Sequence, residues 1–306
     1  HVPQLVVVPV HDEAAFGPEA DRIAQQFGLR GHAAELIPLC VGDASRSEAM
    51  RARDRFIVNS CDCLLPVSVR QKGSMAGLLD AAMATGKRVS PTFEVPYVSR
   101  GAPLSYSLDN RDVSGELSTL DGRYVVHWTR SANAPWPHER KVDYYAAILD
   151  TDGYPRDAMA TLCSMLRMRR IVATGKHMPG DPPTVCFSGL PPRRMLPLMR
   201  WRARYREMSF EPYGIGIPGA RAADLGILPV RYYRGRRLPE ESAVQRWLSQ
   251  SEGTRGEWWR EDEYRKAGDL DLNDVPFDSM LCFCHTRQEA MHIRERFGVS
   301  TIAFRQ

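Results

Sequence analysis

The chain has 306 residues, 43% of them hydrophobic and 25% charged, with a formal charge of +4. That length and balance are enough for two domains with real cores and exclude a disordered chain. No apolar stretch approaches the roughly 20 residues of a bilayer-crossing helix, and the first residues lack the basic-then-apolar layout of a secretory signal, so a cytoplasmic setting without a membrane is expected.

In chain order, Leu5 to Val10 is a short apolar run rich in β-branched residues, which predicts a buried parallel strand ending at the polar loop His11-Asp12-Glu13. Helical spacing of Ile23, Ala24 and Phe27 predicts a helix over 18–29, closed by Gly28 or Gly31. A second strand follows over 32–39. Asp43 to Glu48 supplies a capping serine or aspartate for a helix through Ile57. Residues 61–69 read as a near-continuous strand, 76–85 as a helix, and Gly86 to Val89 leads into another strand. Strands alternating with helices at this pitch predict an α/β, doubly wound parallel sheet, Rossmann-like in character, in a first domain over residues 1–118.

The stretch from Ser99 to Gly122 is rich in Gly, Pro, Ser, Asn and Asp and reads as a linker. Beyond it, strands are expected over 124–128, 184–187, 213–217, 228–233, 279–284 and 301–304. Helices are expected over 142–149, 157–168, 193–202 and 287–297. That order predicts an α+β second domain over residues 119–306. Seven cysteines, an odd set, suit reduced thiols. The two C-x-C pairs place alternate residues on one strand face, so buried free thiols are expected and no metal.

The segments Arg51 to Asn59, Cys61 to Arg70, Gln71-Lys-Gly-Ser-Met75 and Gly86 to Val89 resemble the SLOG superfamily, which includes DNA-processing A proteins, LOG-type nucleotide phosphoribohydrolases and molybdenum-cofactor carrier proteins. The likeness covers about the first third of the chain. It implies a nucleotide ligand at the carboxyl ends of the strands, with Lys72, Gly73 and Ser74 offering N–H groups at a helix N-terminus and Arg70 and Lys72 neutralising a phosphate. Gly73 equally suits a plain tight turn into the helix. LOG enzymes carry Gly-Gly-x-Gly-Thr followed by a glutamate where this chain has Lys72-Gly-Ser-Met-Ala-Gly77, so sensing or scaffolding is expected rather than phosphoribohydrolase chemistry.

In the second half, a strand histidine in Val125-Val-His127-Trp128-Thr129, a strand tyrosine at Tyr213 and a strand glutamate in Glu261-Asp-Glu263 occur in an order that resembles the ADP-ribosyltransferase fold, including DarT-type DNA-modifying toxins and related defence domains. The resemblance implies NAD as substrate. Glu263 would hydrogen-bond the ribose beside the sugar cation, His127 would hold the adenosine-side ribose, and Tyr213 would stack on nicotinamide. Trp128, Thr129 and Ser188 would complete the cofactor contacts. Each residue also has an ordinary packing role open to it.

Between Arg156 and Arg237 basic residues far outnumber acidic ones, and in Arg200-Trp-Arg202-Ala-Arg204-Tyr-Arg206 they interleave with aromatics. Such a run suits single-stranded nucleic acid, the phosphates of a dinucleotide, or internal pairing with the acidic stretches near Glu240 and over 257–274. Three functions remain in view: an NAD-consuming ADP-ribosyltransferase with a nucleotide-sensing front half, a non-catalytic module whose halves bind nucleotide and a protein or nucleic acid, and a structural subunit of a larger assembly.

Overall fold

The structure is a computed structural model, and it describes residues 4–29, 34–95, 105–106, 108, 113–120, 122–175, 182–203, 207–235, 246–252 and 261–305. The chain divides into two compact units, His1–Ala102 with Arg140–Ala146, and Pro103–Glu139 with Ala147–Gln306. No helix among the described residues is long and apolar enough to cross a membrane.

In the first unit β1 (Gln4–Val10) leads through α1 (Phe16–Phe27) to β2 (Ala34–Cys40), and the two strands pair in parallel from Gln4↔Ala34 to Val10↔Cys40. Gly28 ends α1 with φ 63, a left-handed conformation that costs glycine nothing, while its N–H reaches the Ala24 and Gln25 carbonyls. A capping box between Ser45 and Glu48 opens α2 (Arg46–Ser60). A second parallel pair, β3 (Cys63–Leu64) with β4 (Arg88–Val89), encloses α3 (Ser74–Ala84). Of the successive βαβ units that the alternation predicts, two are present, around α1 and around α3. Among the described residues they form two separate two-stranded ladders, where the sequence predicts one continuous sheet. The strand expected over 61–69 shortens to Cys63–Leu64 because Pro66, two residues on, has no N–H for the ladder.

The second unit runs through a long series of short elements, and its first strand, β5 (Tyr124–Trp128), precedes α4 (Lys141–Leu149). α5 (Ala158–Met168), β6 (Arg170–Ile171), β7 (Thr184–Ser188), α6 (Pro192–Met195), β8 (Trp201–Arg202) and β9 (Glu207–Met208) follow. Next come β10 (Gly214–Pro218), α7 (Gly219–Ala222), β11 (Leu228–Pro229), β12 (Arg231–Tyr233) and β13 (Ser249–Ser251). The unit closes with β14 (Glu263–Ala267), β15 (Leu270–Asp271), β16 (Leu281–Thr286), α8 (Arg287–Phe297) and β17 (Ser300–Arg305).

Seven strands form one mixed sheet in the order β11-β14-β7-β5-β10-β16-β17, antiparallel throughout except for β16 and β17, which are parallel and joined by α8. Two sequence readings change here. Residues 113–118 belong with the second unit: Val113 bridges to Arg305, Ser114 N–H donates to the Phe304 carbonyl at 2.9 Å, and Leu117 is fully buried in that core. The helix expected over 193–202 stops at Met195, followed by a 3-10 turn Leu196–Leu198 and a strand, since Pro197 cannot continue an α-helical ladder.

Strand alternation gives the sheet two faces. On one, Val125, Phe187, Ile215, Ile217, Cys282 and Cys284 pack with Leu162 and Leu166 of α5 and Ile293 of α8. On the other, Val126, Trp128, Leu281, Phe283, Ile302 and Phe304 pack with Met195 and Leu117. Burying a side chain such as Phe283 contributes about 1.5–3 kcal/mol. The second face closes tightly over β10 because residues 214 and 216 are glycines: a Cβ on Gly214 would lie 2.8 Å from the His127 carbonyl oxygen, and one on Gly216 would lie 3.0 Å from Phe283.

Candidate functional site

His127, on β5, pairs across the ladder with Ile215 of β10 and packs edge-on against Phe187, ring centroids 5.7 Å apart. It therefore belongs to the face of α5 and α8. Its Nδ1–H donates to the Cys186 carbonyl at 2.8 Å. A carbonyl only accepts, so this bond fixes the proton on Nδ1. Burial holds its pKa below the ordinary histidine value, against the raising effect of that bond.

Tyr213 is buried on the same side, its hydroxyl donating to Glu289 Oε1 at 2.8 Å, and burial followed by that carboxylate raises its pKa. Tyr106 lies edge-on to it and donates to Glu211, whose other oxygen accepts from Ser131 N–H at 2.5 Å. These groups satisfy one another in the interior.

Glu263 is elsewhere. It pairs with Ser188 of β7, and Ser188 pairs with Val126 of β5. Directly paired residues share a face, so Glu263 shares that of Val126, and the neighbouring His127 points to the opposite side. The expected set of His127, Tyr213 and Glu263 is not gathered on one side of the sheet. Of the other cofactor residues, Trp128 packs between Phe283 and Phe304 on the Glu263 face. Thr129 is buried, its hydroxyl within reach of the Ala158 and Tyr213 carbonyls. Ser188 spends its hydroxyl on the Glu261 carbonyl, at 2.6 Å.

Around Glu263 a different constellation forms. Arg265, two residues along β14 and 5% exposed, grips both Glu263 oxygens at 2.8 Å and donates further to the Trp247 carbonyl and Gln250. Such a two-pronged guanidinium–carboxylate pair fixes the plane of the acid. The Tyr232 hydroxyl accepts from Glu263 N–H at 3.2 Å. Beside this pair, burial and then the charge of Glu263 push Glu261 up to about 7, with Arg202 and Arg200 acting the other way. Cys186, paired with Arg265 in the middle of the sheet, is exposed, while the desolvating groups around it and then Glu263 push its thiol up to about 12. Arg200 and Arg202 act on Glu261 from β8 and the turn before it. Arg204 and Arg206 lie outside the described residues.

In the first unit, Arg70, Lys72 and Ser74 are exposed at the start of α3. The Gly73 N–H is committed to the Arg70 carbonyl at 2.8 Å, and a Cβ at Gly73 would come within 3.0 Å of that oxygen, so the glycine serves the turn. A second cluster lies at the carboxyl end of β1. His11 contacts Asp12 through Nδ1 and Asp43 through Nε2, both at 2.9 Å, and these two acids raise its pKa. A cleft of about 540 Å³ adjoins it, lined by Pro9, Val10, His11, Ala15, Pro18, Glu19 and Arg22. Sequence reading marked His11-Asp12 as a polar loop but had no signal for Asp43, which joins only because β1 and β2 end side by side.

No family model, curated protein or solved structure matches this chain. The chemistry available to the site rests on its own residues. One carboxylate is held by a guanidinium, and burial together with that carboxylate's charge pushes a second up to about 7. Two acids with environments pulled apart are the arrangement that divides charge stabilisation from proton transfer.

Proposed function

We propose that the second unit breaks the N-glycosidic bond of a pyridine dinucleotide such as NAD, using Glu263 and Glu261, and that the first unit holds a nucleotide. The observation that carries this reading is the pair of nearby carboxylates, Glu263 fixed by Arg265 at 2.8 Å and Glu261 pushed up to about 7 by burial and the charge of Glu263, with the exposed Cys186 on the Glu263 face.

The bond between the ribose anomeric carbon and the pyridinium nitrogen breaks, and its electron pair neutralises the ring as it leaves. The sugar cation that remains is stabilised by the fixed charge of Glu263. Water or an acceptor group attacks the anomeric carbon and passes its proton to Glu261, whose affinity near neutrality suits a base at cellular pH. Arg200 and Arg202 supply positive charge for the pyrophosphate or for a nucleic-acid acceptor. His127 and Tyr213 have no part in this scheme, since they lie across the sheet.

Incubating the full chain with NAD, with and without single-stranded nucleic acid, and measuring free nicotinamide tests the proposal. Wild-type protein releases nicotinamide, and Glu263→Gln lowers the rate by roughly two to three orders of magnitude, as loss of an electrostatic stabiliser does. Absence of release from the wild type in both incubations would sink the enzymatic reading. The cleft beside His11 independently favours nucleotide binding by the first unit, at the carboxyl ends of parallel strands where α/β proteins hold ligands. Calorimetry with adenine and guanine nucleotides tests that half, and Arg22→Ala and His11→Ala should weaken whatever binding is seen.

A further inference from the structure

Asp262, between the two glutamates, has φ 44. Only one other non-glycine among the described residues has positive φ, Arg169, which ends α5 as its C-cap. Asp262 stands between Glu261, which is in 3-10 geometry, and the first residue of β14, and its left-handed backbone makes the change of direction between them.

The holding contacts come from the end of β7. Ser188 Oγ donates to the Glu261 carbonyl at 2.6 Å, and Gly189 N–H donates to the Asp262 carbonyl at 2.8 Å. Gly189 has no space for a side chain, because a Cβ there would lie 2.5 Å from Asp262 Oδ2 and 2.8 Å from Tyr264 Cε2. On the other side of the bend, Glu263 N–H is tied to the Tyr232 hydroxyl. A strand continued through residue 261 would carry it about 7 Å farther along the sheet from residue 263. The left-handed residue ends β14 and turns the chain at that point.

We infer that Ser188, Gly189 and Asp262 are positioning residues, a backbone lock between the end of β7 and the start of β14 that keeps Glu261 beside Glu263. The inference rests on the glutamate-pair reading of the site, and it concerns how the pair is assembled. It also gives Ser188 a role different from direct contact with a dinucleotide.

The test is a carboxyl-carbon NMR titration of Glu261 in the ¹³C-glutamate-labelled full chain, run beside nicotinamide release. Asp262 is exposed, so changes there leave the core alone. Asp262→Gly, free to keep positive φ, preserves both the midpoint near 7 and the rate. Asp262→Val, for which positive φ is an outlier, moves the midpoint from about 7 toward 4.5 and slows release about tenfold, in line with the cost of a left-handed branched residue. Gly189→Ala shifts the midpoint in the same direction as Asp262→Val. The lock is overturned if Asp262→Val titrates like the wild type, or if Asp262→Gly loses the midpoint as fully as valine does. Should the wild type release no nicotinamide, the titration alone still decides the lock, and only the catalytic reading falls.

Discussion

One face of the seven-stranded sheet carries both the best-sealed and the most open parts of the second unit. Toward β16 and β17, Phe283 and Phe304 are fully buried, and the glycines of β10 let Trp128 and Phe283 close over the strand. Toward β7 and β14 the same face exposes Cys186 and concentrates Ser188, Glu261, Glu263 and Arg265. On the opposite face Tyr213 is buried with its hydroxyl on Glu289, and His127, half-buried, gives its Nδ1–H to the Cys186 carbonyl. The contrast separates polar residues paired one to one across the packed interior from a polar network gathered beside an exposed thiol. Residue type does not distinguish them, since histidine, tyrosine and glutamate occur on the opposite face too.

Substitutions at the two ends of this face should give the widest separation in stability. Phe283→Ala costs about 3–5 kcal/mol as a buried aromatic truncation, read as a lower denaturant midpoint. Cys186→Ala, on the same face, stays within about 0.5 kcal/mol. Equal losses at the two positions would contradict the exposure of Cys186.

A smaller effect separates the two faces. Tyr213→Phe removes the hydrogen bond to Glu289 and costs about 1 kcal/mol, while nicotinamide release stays near the wild-type rate. A collapse of the rate with Tyr213→Phe, or with His127→Gln, would return these residues to the reaction and break the assignment by face.

The pH dependence sharpens the comparison further. Because burial and Glu263 raise Glu261 from 4.5 to about 7, the folded state holds that proton more tightly than the unfolded chain does. The associated stability is fully present below about pH 4.5 and is lost as pH rises through 7. Thermal unfolding from pH 4.5 to 8 should show a decline that Glu261→Gln removes. Nicotinamide release should rise through the same region, because Glu261 must be deprotonated to act as a base. A rate independent of pH there would remove Glu261 from proton transfer.

The smallest expected change lies in the first unit. Ser45→Ala removes half of the capping box of α2 and costs about 1 kcal/mol, seen as a local rise in amide exchange at the start of that helix. The nucleotide affinity of the unit should stay unchanged, since the cleft is lined by β1 and α1.

Much of the local structure was legible from the chain alone. Apolar runs located β1, β5, β7, β10, β16 and β17, and helical spacing located α1, α5 and α8, because those patterns reflect a residue's own side of its own element. Alternation would put Glu261 and Glu263 on one face of a strand, but β14 begins at Glu263 and Glu261 precedes it in 3-10 geometry. The failures were at Pro66 and Pro197, where a missing N–H shortened elements that hydrophobicity alone would have extended.

What the sequence could not supply was the relation between strands. Alternation tells which residues of β5 share a face and which residues of β14 do, but it does not tell which set meets which. That choice is made by register, through Glu263↔Ser188 and Ser188↔Val126, and a shift of one residue would have put His127 and Glu263 together. The joining of His11 to Asp43, 32 positions on, is of the same kind. Local pattern determined the elements and their faces, while tertiary pairing determined which side chains share a site, because hydrogen-bonded neighbours far apart in the chain leave no periodic trace in it.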